Sequence, residues 1–527
     1  MRAKTSEPGD STQLSRTEAF VPDPSTRLPG LTVLYHPVLR RVGERALLSD
    51  VASGRSDRLS RLEPKFAAPA PEAIPSPLHH RRLSRTPVAL EPRGDGILLR
   101  LGESPTPVVA DGQIVEGERL FSPAEIERGV VLLLAGRVVL LLHQLDPYRD
   151  AALPRFGLIG EHPSLVAVRR SLQQAAAATV PVLLRGESGT GKELVAQALH
   201  QTGPRRDAPF VTVNMAAVPA SLAAAELFGA ARGAYTGADR RREGFFTRAH
   251  GGTLFLDEVG EMPVEVQTLL LRCLETGEIQ PVGEPPRRVD VRLVAATDAD
   301  LESAVAAGRF RAPLLYRLES FGIRLPPLRD RREDFGRLLV EFLRQELAAV
   351  GEEALLESDP PWLPAELVAR LALHSWPGNV RQLRNVVRQL VISNRGRSQA
   401  QLDPTLVAAL REPAAAPPLA PASKPSALTP APTPQRKPSD ITEEELLAAL
   451  KATRYRPHAA AHRLGISRPS IYHLMNKSPR LRTGADISLE DLRAAWDSHS
   501  GDVAAMAAEL EVSEQGLRRR LRQVGLM

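Results

Sequence analysis

The sequence predicts a multidomain chain: an all-β sandwich at the amino end, a central α/β domain on a parallel sheet, and helical units at the carboxyl end. Three observations carry that reading. Short apolar runs broken by turn residues fill residues 28–148, strand patterns alternate with helical ones from about Phe156 to Arg395, and the last stretch repeats itself. Length agrees, because 527 residues exceed what one core organises and point to about three domains. A hydrophobic content of 43% supports packed cores, whereas a net charge of +6 is compatible with nucleic acid and equally with an Arg-rich surface. Cys273 is the only cysteine, which excludes an intramolecular disulfide and fits a reducing compartment, so a cytoplasmic setting is expected. It lies in the amphipathic run Leu269-Leu-Leu-Arg-Cys-Leu274, where a small buried hydrophobe is expected rather than a nucleophile. The opening Met1-Arg-Ala-Lys-Thr-Ser-Glu has no apolar core of the signal-peptide kind.

Residues 1–27 are polar and proline-containing and are expected to be disordered. Within 28–148 the strand candidates are Leu31-Thr-Val-Leu34, Arg45-Ala-Leu-Leu48, Ile97-Leu-Leu-Arg-Leu101 and a final hairpin. That hairpin is the most apolar stretch, Val130 to Leu145, cut by Gly136 and Arg137 into halves too short to span a membrane. Residues 396–440 are read as a linker, Pro/Ala-rich from Pro413 to Pro438 and extended rather than folded. Beyond it Ile441-Thr-Glu-Glu-Glu-Leu446 aligns with Ile487-Ser-Leu-Glu-Asp-Leu492, an offset of 46 residues (487 − 441). The same offset pairs Leu464 with Leu510, Ile466 with Val512, Ser467 with Ser513 and Ile471 with Leu517, so 441–480 and 484–527 read as two copies of one helical unit.

The central domain carries the chemistry. A short strand, Val182-Leu-Leu-Arg185, runs into Gly186-Glu187-Ser188-Gly189-Thr190-Gly191-Lys192-Glu193 and then a helix to His200. Glycines at this spacing let backbone N–H groups curl around phosphate oxygens at a helix N-terminus, and Lys192 adds a point charge on the β/γ-phosphates. ATP with Mg²⁺ is the expected ligand, although Glu193 stands where the general motif has Ser or Thr for the metal. Three further apolar runs end in polar residues: Asn214, Asp257-Glu258, and Thr297-Asp298. Strand ends of an open α/β sheet converge on the ligand, which gives Asp257 the Mg²⁺ shell and Glu258 the attacking water; solvated strand ends are the alternative. Ile159 and Gly160, ahead of the first helix, complete the nucleotide-binding set.

One segment says what the hydrolysis is for. After Glu226-Leu-Phe-Gly229, Gly233 and Gly237 flank one aromatic, Tyr235, and one hydroxyl, Thr236, with no apolar periodicity to bury them. This is a loop tip; the alternative is a glycine-rich turn with no partner. Gly233-Ala234-Tyr235-Thr236-Gly237-Ala238 closely resembles the GAFTGA loop of sigma-54-dependent transcriptional activators, the bacterial enhancer-binding AAA+ proteins. The resemblance implies that this loop touches sigma-54 and remodels the closed promoter complex, and that residues 156–322 form an AAA+ α/β part with a helical lid at 323–395. Gly-Glu-x-Gly-Thr-Gly-Lys-Glu is also that family's form of the phosphate loop. By the same resemblance Asn214 restrains Glu258 until the partner is engaged, and Thr297-Asp298 occupies the sensor I position, where the family usually has Thr-Asn. Phe310-Arg311-Ala-Pro-Leu-Leu-Tyr-Arg317-Leu318 resembles the segment whose arginines reach a neighbour's γ-phosphate, so Arg311 and Arg317 imply a head-to-tail ring, expected as a hexamer. Surface salt bridges are the alternative for both arginines, and Pro313, replacing the usual Asp, is expected to distort their turn. Trp376-Pro-Gly-Asn-Val-Arg381 matches the sensor II segment and makes Arg381 a γ-phosphate contact from the same chain.

Two flanking resemblances complete the expectation. The sandwich is similar to a forkhead-associated domain, with Arg55, Ser84 and Arg85 in its binding loops and a phosphothreonine protein or a Ser/Thr kinase as the implied partner. Pro87 replaces that family's usual His, and self-contact is the alternative use. Ala459 to Leu474 reads as helix, turn and helix, resembling a Fis-like helix-turn-helix, with Arg468, Ser470 and His473 nearest base edges. Arg518 and Arg519 in the second copy suit phosphates or bases, or a solvated basic face. The whole reads as an ATP-hydrolysing ring that binds enhancer DNA and opens sigma-54 RNA polymerase promoters. The rival is a DNA-binding regulator whose ATPase domain assembles but cannot remodel.

Overall fold

The amino-terminal strands pair into two antiparallel sheets. In the computed structural model, which describes residues 27–69, 73–146, 153–234, 241–403, 441–453, 487–499, 503–510 and isolated positions around these, the strands are β1 (Leu28–Tyr35), β2 (Arg45–Leu47), β3 (Asp57–Leu59), β4 (Val88–Arg93), β5 (Gly96–Arg100), β6 (Val108–Ala110), β7 (Gln113–Ile114), β8 (Glu118–Phe121), β9 (Val130–Leu134) and β10 (Val138–Leu145). One sheet runs β2-β1-β10-β9-β6-β7 and the other β3-β4-β5-β8. The expected final hairpin is β9–β10, closed by the three residues Ala135, Gly136 and Arg137, of which Ala135 and Gly136 are at positive φ.

That hairpin is apolar on both faces because both are covered. Val130, Leu132, Leu134, Val138, Leu140 and Leu142 point into the core shared by the two sheets. The alternate residues Val131, Leu133, Val139 and Leu141 enter a second core with Phe335, Leu338, Leu339 and Trp376.

Five parallel strands form the central sheet: β11 (Val182–Arg185), β12 (Phe210–Asn214), β13 (Thr253–Asp257), β16 (Arg292–Thr297) and β17 (Phe321–Arg324), in the order β12-β13-β16-β11-β17. A small hairpin, β14 (Glu278–Ile279) with β15 (Arg287–Arg288), stands apart. Three lid helices follow, Phe335–Val350, Ala365–Ala372 and Asn379–Ser393. Two expected boundaries move. The α/β part runs past residue 322, since β17 reaches Arg324 and Leu325 is buried with it. The lid continues beyond residue 395: Ala400 donates its N–H to Trp362 O at 2.7 Å, and Ala400 and Leu406 are buried in the lid core. The linker therefore begins later than residue 396. Cys273 is buried, and burial pushes its thiol up to about 12, which leaves it an inert core residue.

The carboxyl-terminal residues, Ala414–Met527, form a compact unit separate from Met1–Pro413. Within it Thr442 and Ser488 each accept an N-cap hydrogen bond at the start of the helices Glu443–Ala452 and Leu489–Ser498. Ile441, Leu446, Ala449, Ala460 and Ile471 are buried in one core, and Ile487, Leu492, Ala495, Met506 and Leu517, each 46 residues on, in another. The repeat in sequence is thus a repeat in burial. Among the described residues no helix is long and apolar enough to cross a membrane.

Candidate functional site

The site is built at the carboxyl ends of β11, β12, β13 and β16. Between β11 and the helix Lys192–Gln201 the chain needs glycine three times: Gly186, Gly189 and Gly191 all have positive φ, and a Cβ on Gly189 would stand 2.4 Å from Gly378 O. The loop thereby delivers the unpaired N–H groups of a helix N-terminus to one point. Lys192, 7% exposed, donates to Gly186 O at 2.8 Å and lies 3.6 Å from Glu258. Thr190 is buried and closes the loop on Glu187 O. Gly186 N–H donates to Thr297 O, which fixes the loop to β16.

Register brings Asn214 opposite Asp257. Asn214 Nδ2 donates to Asp257 Oδ2 at 3.3 Å, and its Oδ1 accepts from Ala216 N–H at 2.9 Å. Glu258, in the left-handed region at φ +52°, is held instead by Lys192 and by Asp298 N–H at 3.4 Å. Asn214 was expected to restrain Glu258 and here touches its neighbour. Burial raises the Glu258 carboxyl above its ordinary range; Lys192 opposes this, and Asp298 and Asp257 add to it. A partly buried carboxylate with a raised pKa beside a phosphate loop suits a group that takes a proton from water.

Asp257, at the end of β13, is the one residue expected to hold a metal. Among the described residues no three His, Cys, Asp or Glu side chains converge. That donor set fits Mg²⁺, which is held by one or two carboxylates, water and the substrate's own phosphates rather than by a protein cage. Glu193, in the first turn of the loop helix, is exposed and within 3.4 Å of Gln197.

The lid reaches the loop through two residues. Arg381 Nη1 donates to Ser188 Oγ at 3.0 Å, and its N–H to Gly189 O. Asn379, which the sequence reading passed over, is fully buried at φ +52° and donates to Glu187 Oε2 at 3.1 Å and Ser188 O at 3.0 Å. Its Oδ1 accepts from Leu328 N–H at 2.8 Å. An Asn directly after Gly in Trp376-Pro-Gly-Asn379 was the available signal, since Asn tolerates the left-handed region and can bond three ways there. Arg329 pairs with Glu187 at 2.8 Å and draws the Glu187 carboxyl below its ordinary value. Ile159 and Gly160 lie in a segment whose next residues, Glu161 and His162, donate their N–H groups to buried Asp334.

Arg311 is exposed at the N-cap of the helix Ala312–Leu318, and Arg317 donates to Leu274 O at 2.9 Å on its own subdomain. Pro313 does not distort this turn: it falls in the first turn of the helix, where a missing N–H costs nothing. Tyr316, 77% exposed, stands between the two arginines. Glu226 precedes the expected loop tip. It belongs to the helix Ala223–Phe228 and pairs with Arg242 at 2.5 Å, while Ala230 bridges to Arg242 and Arg241 pairs with Glu284. Gly233 and Ala234 follow this pinned base; Tyr235, Thr236, Gly237 and Ala238 lie outside the described residues.

In the sandwich, Arg55 is engaged by Asp50 at 3.0 Å, and Ser84 accepts from Thr86 N–H and donates its own N–H to buried Thr106. Arg85 is exposed. The DNA-reading candidates Arg468, Ser470, His473, Arg518 and Arg519 lie outside the described residues.

A helical lid whose own side chains close on the phosphate loop is the arrangement of an AAA+ ATPase, and fold and site define that class. The Sigma-54 interaction domain family matches residues 158–324, and the AAA+ ATPase lid domain family residues 329–415. The DNA-binding transcriptional regulator NtrC of Bradyrhizobium sp. (strain RP501 Parasponia) is 37% identical over 387 residues, covering 72% of this chain and 72% of that protein. The regulator of the same name from Rhizobium meliloti (strain 1021) is 41% identical over 335 residues, 60% of this chain and 68% of that protein. For the Escherichia coli (strain K12) regulator the figures are 45% over 280 residues, 53% and 58%, so the chain spans little more than half the length of that relative. Among solved structures, NtrX from Brucella abortus in complex with ADP is 29% identical over 71% of this chain and 70% of that one, with a TM-score of 0.42. The chain belongs to the sigma-54-dependent AAA+ activators.

Proposed function

We propose that this protein hydrolyses ATP in a head-to-tail ring and spends the energy on sigma-54 RNA polymerase at promoters whose upstream DNA it binds. The observation that carries the proposal is the joint held by Asn379 and Arg381, because a lid bonded to the phosphate loop responds to what the loop holds. In this reading Lys192 and Arg381 hold the γ-phosphate and Asp257 the Mg²⁺, whose charge offsets that developing on the transferred phosphoryl group. Glu258 orients and deprotonates the attacking water. Arg311 and Arg317 act on a neighbouring subunit's nucleotide, and exposed Tyr316 between them suits a subunit contact. The pinned base at Glu226–Arg242 supports a loop carrying Tyr235 and Thr236 to sigma-54, since a lever needs a fixed end.

The matching cores of the two carboxyl-terminal copies support a tandem DNA reader. Two readers on one chain raise the effective concentration of the second on DNA. The sandwich is proposed as a forkhead-associated-like input domain, where a phosphothreonine would have to displace Asp50 from Arg55. One observation favours the rival, a ring that assembles without remodelling: Asp298 stands beside Glu258, its N–H bonded to that carboxylate at 3.4 Å, and adds a negative charge next to the place proposed for the phosphates. Promoter opening at native and pre-melted sigma-54 promoters, measured alongside ATP turnover, separates the two. The activator opens the native promoter with ATP, and the rival opens neither.

A further inference from the structure

We infer that the amino-terminal sandwich is a working part of the nucleotide site, with Arg45 of β2 a positioning residue for the segment 158–162. The inference rests on Ile159 and Gly160 belonging to the nucleotide site. Arg45 Nη2 donates to Glu161 O at 3.0 Å and forms an ion pair with Glu333 at 3.2 Å, the two side chains 11% and 2% exposed. Glu333 adjoins Asp334, fully buried at the junction of α/β domain and lid, whose Oδ1 accepts from Glu161 N–H at 2.6 Å. Glu161 is therefore gripped at its N–H by the lid junction and at its carbonyl by the sandwich.

The segment has no slack in which to ignore that grip. Gly160 has φ +138°, and a Cβ on it would stand 2.3 Å from Asp334 Oδ2, so the backbone passes the carboxylate as closely as glycine allows. From the α/β side buried Arg169 donates to Leu158 O at 2.8 Å and also to Gly160 O. Sandwich, lid and α/β domain thus converge on five residues, two of which are the nucleotide candidates.

The sandwich is fixed where Arg45 needs it. Tyr35 donates to Leu363 O at 2.5 Å, Arg337 to Gly43 O at 2.6 Å and Arg332 to Gly129 O at 2.6 Å, all across the sandwich–lid contact. His143 lies 3.6 Å from Glu333 and is bonded to Thr32 at 2.8 Å; burial holds its pKa far down, so the imidazole is neutral. Arg45 is then the sandwich's cation on this carboxylate. Both contacts leave one nitrogen, Nη2, and the planar guanidinium fixes the directions in which it meets the carbonyl and the carboxylate.

The test uses the full chain, with a fluorescent ATP analogue for Kd and steady-state hydrolysis for KM and kcat. Arg45→Met, which keeps the apolar stem, should raise Kd and KM about tenfold while kcat at saturation stays within about twofold. Arg45→Lys, which keeps the charge but not the planar guanidinium, should lie between the two, at about threefold. A folded Arg45→Met chain with lowered thermal stability and unchanged Kd reduces Arg45 to a structural neutraliser of Glu333 and overturns the inference. Should Arg45→Met not fold, an Arg45→Lys chain with the parent's Kd overturns it equally. A parent that binds no ATP overturns the nucleotide reading itself, a separate failure.

Discussion

Lys192 and Glu258 form a 3.6 Å ion pair between the phosphate loop and the end of β13. In the proposed function one charge would serve the γ-phosphate and the other the attacking water. Lys192→Ala should raise the Kd for ATP by about tenfold or more, as expected for loss of a charged contact. Glu258→Gln should bind ATP as the parent does and lose about 10²–10⁴ in kcat. Equilibrium binding and single-turnover hydrolysis check the two arms.

The pH dependence follows from what surrounds Glu258. Burial first, then Asp298 and Asp257, raise its carboxyl, with Lys192 opposing. A base works deprotonated, so hydrolysis should rise with pH through this raised value, on an acid limb above the ordinary Glu value of about 4.3. Asp298→Asn removes one raising charge and should move that limb to lower pH. A limb that stays put in the pH–rate profile contradicts the assignment of Glu258 as base.

Asn379 should prove costly to change. It is fully buried, bonds Glu187, Ser188 and Leu328 together, and holds a left-handed backbone. Asn379→Ala leaves Leu328 N–H buried without a partner and should destabilise the domain by about 2–4 kcal/mol. Denaturant unfolding measures this, and ATP affinity should fall with it because the lid loses its hold on the loop.

Gly336 lets β1 lie against the first lid helix: a Cβ there would stand 2.2 Å from Leu34 O. Gly336→Ala, which would raise helix propensity at an exposed site, should here cost about 1–3 kcal/mol through overpacking. Thermal unfolding should show it, together with faster protease cleavage between sandwich and α/β domain. A more stable variant would mean that the sandwich is not docked on the lid.

The phosphate loop, the Asp257-Glu258 strand end and the β9–β10 hairpin were legible because each is set by a few adjacent residues with one steric or electrostatic demand. The docking of the sandwich was not. Val131, Leu133, Val139 and Leu141 were seen only as part of a buried run, although a hairpin apolar on both faces needs a cover for each. Lid residues 335–376 supply that cover from 194 (335 − 141) to 245 (376 − 131) residues away, a pairing no local pattern announces. Asn379 was missed for a related reason: its three partners come from residues 187, 188 and 328, brought together only by the fold. Pro313 shows the opposite error, a departure from a family pattern that is harmless once its place in a helix's first turn is known.

The central claim is that ATP hydrolysis at Glu258 drives sigma-54 remodelling through the loop bearing Thr236. It is tested most directly by open-complex formation on a native sigma-54 promoter, scored by permanganate reactivity of the melted strand, with ATP turnover measured in the same reaction. The parent should open the promoter only with hydrolysable ATP, Glu258→Ala should neither hydrolyse nor open, and Thr236→Ala should hydrolyse without opening. Turnover that survives Glu258→Ala, or full opening by Thr236→Ala, would contradict it.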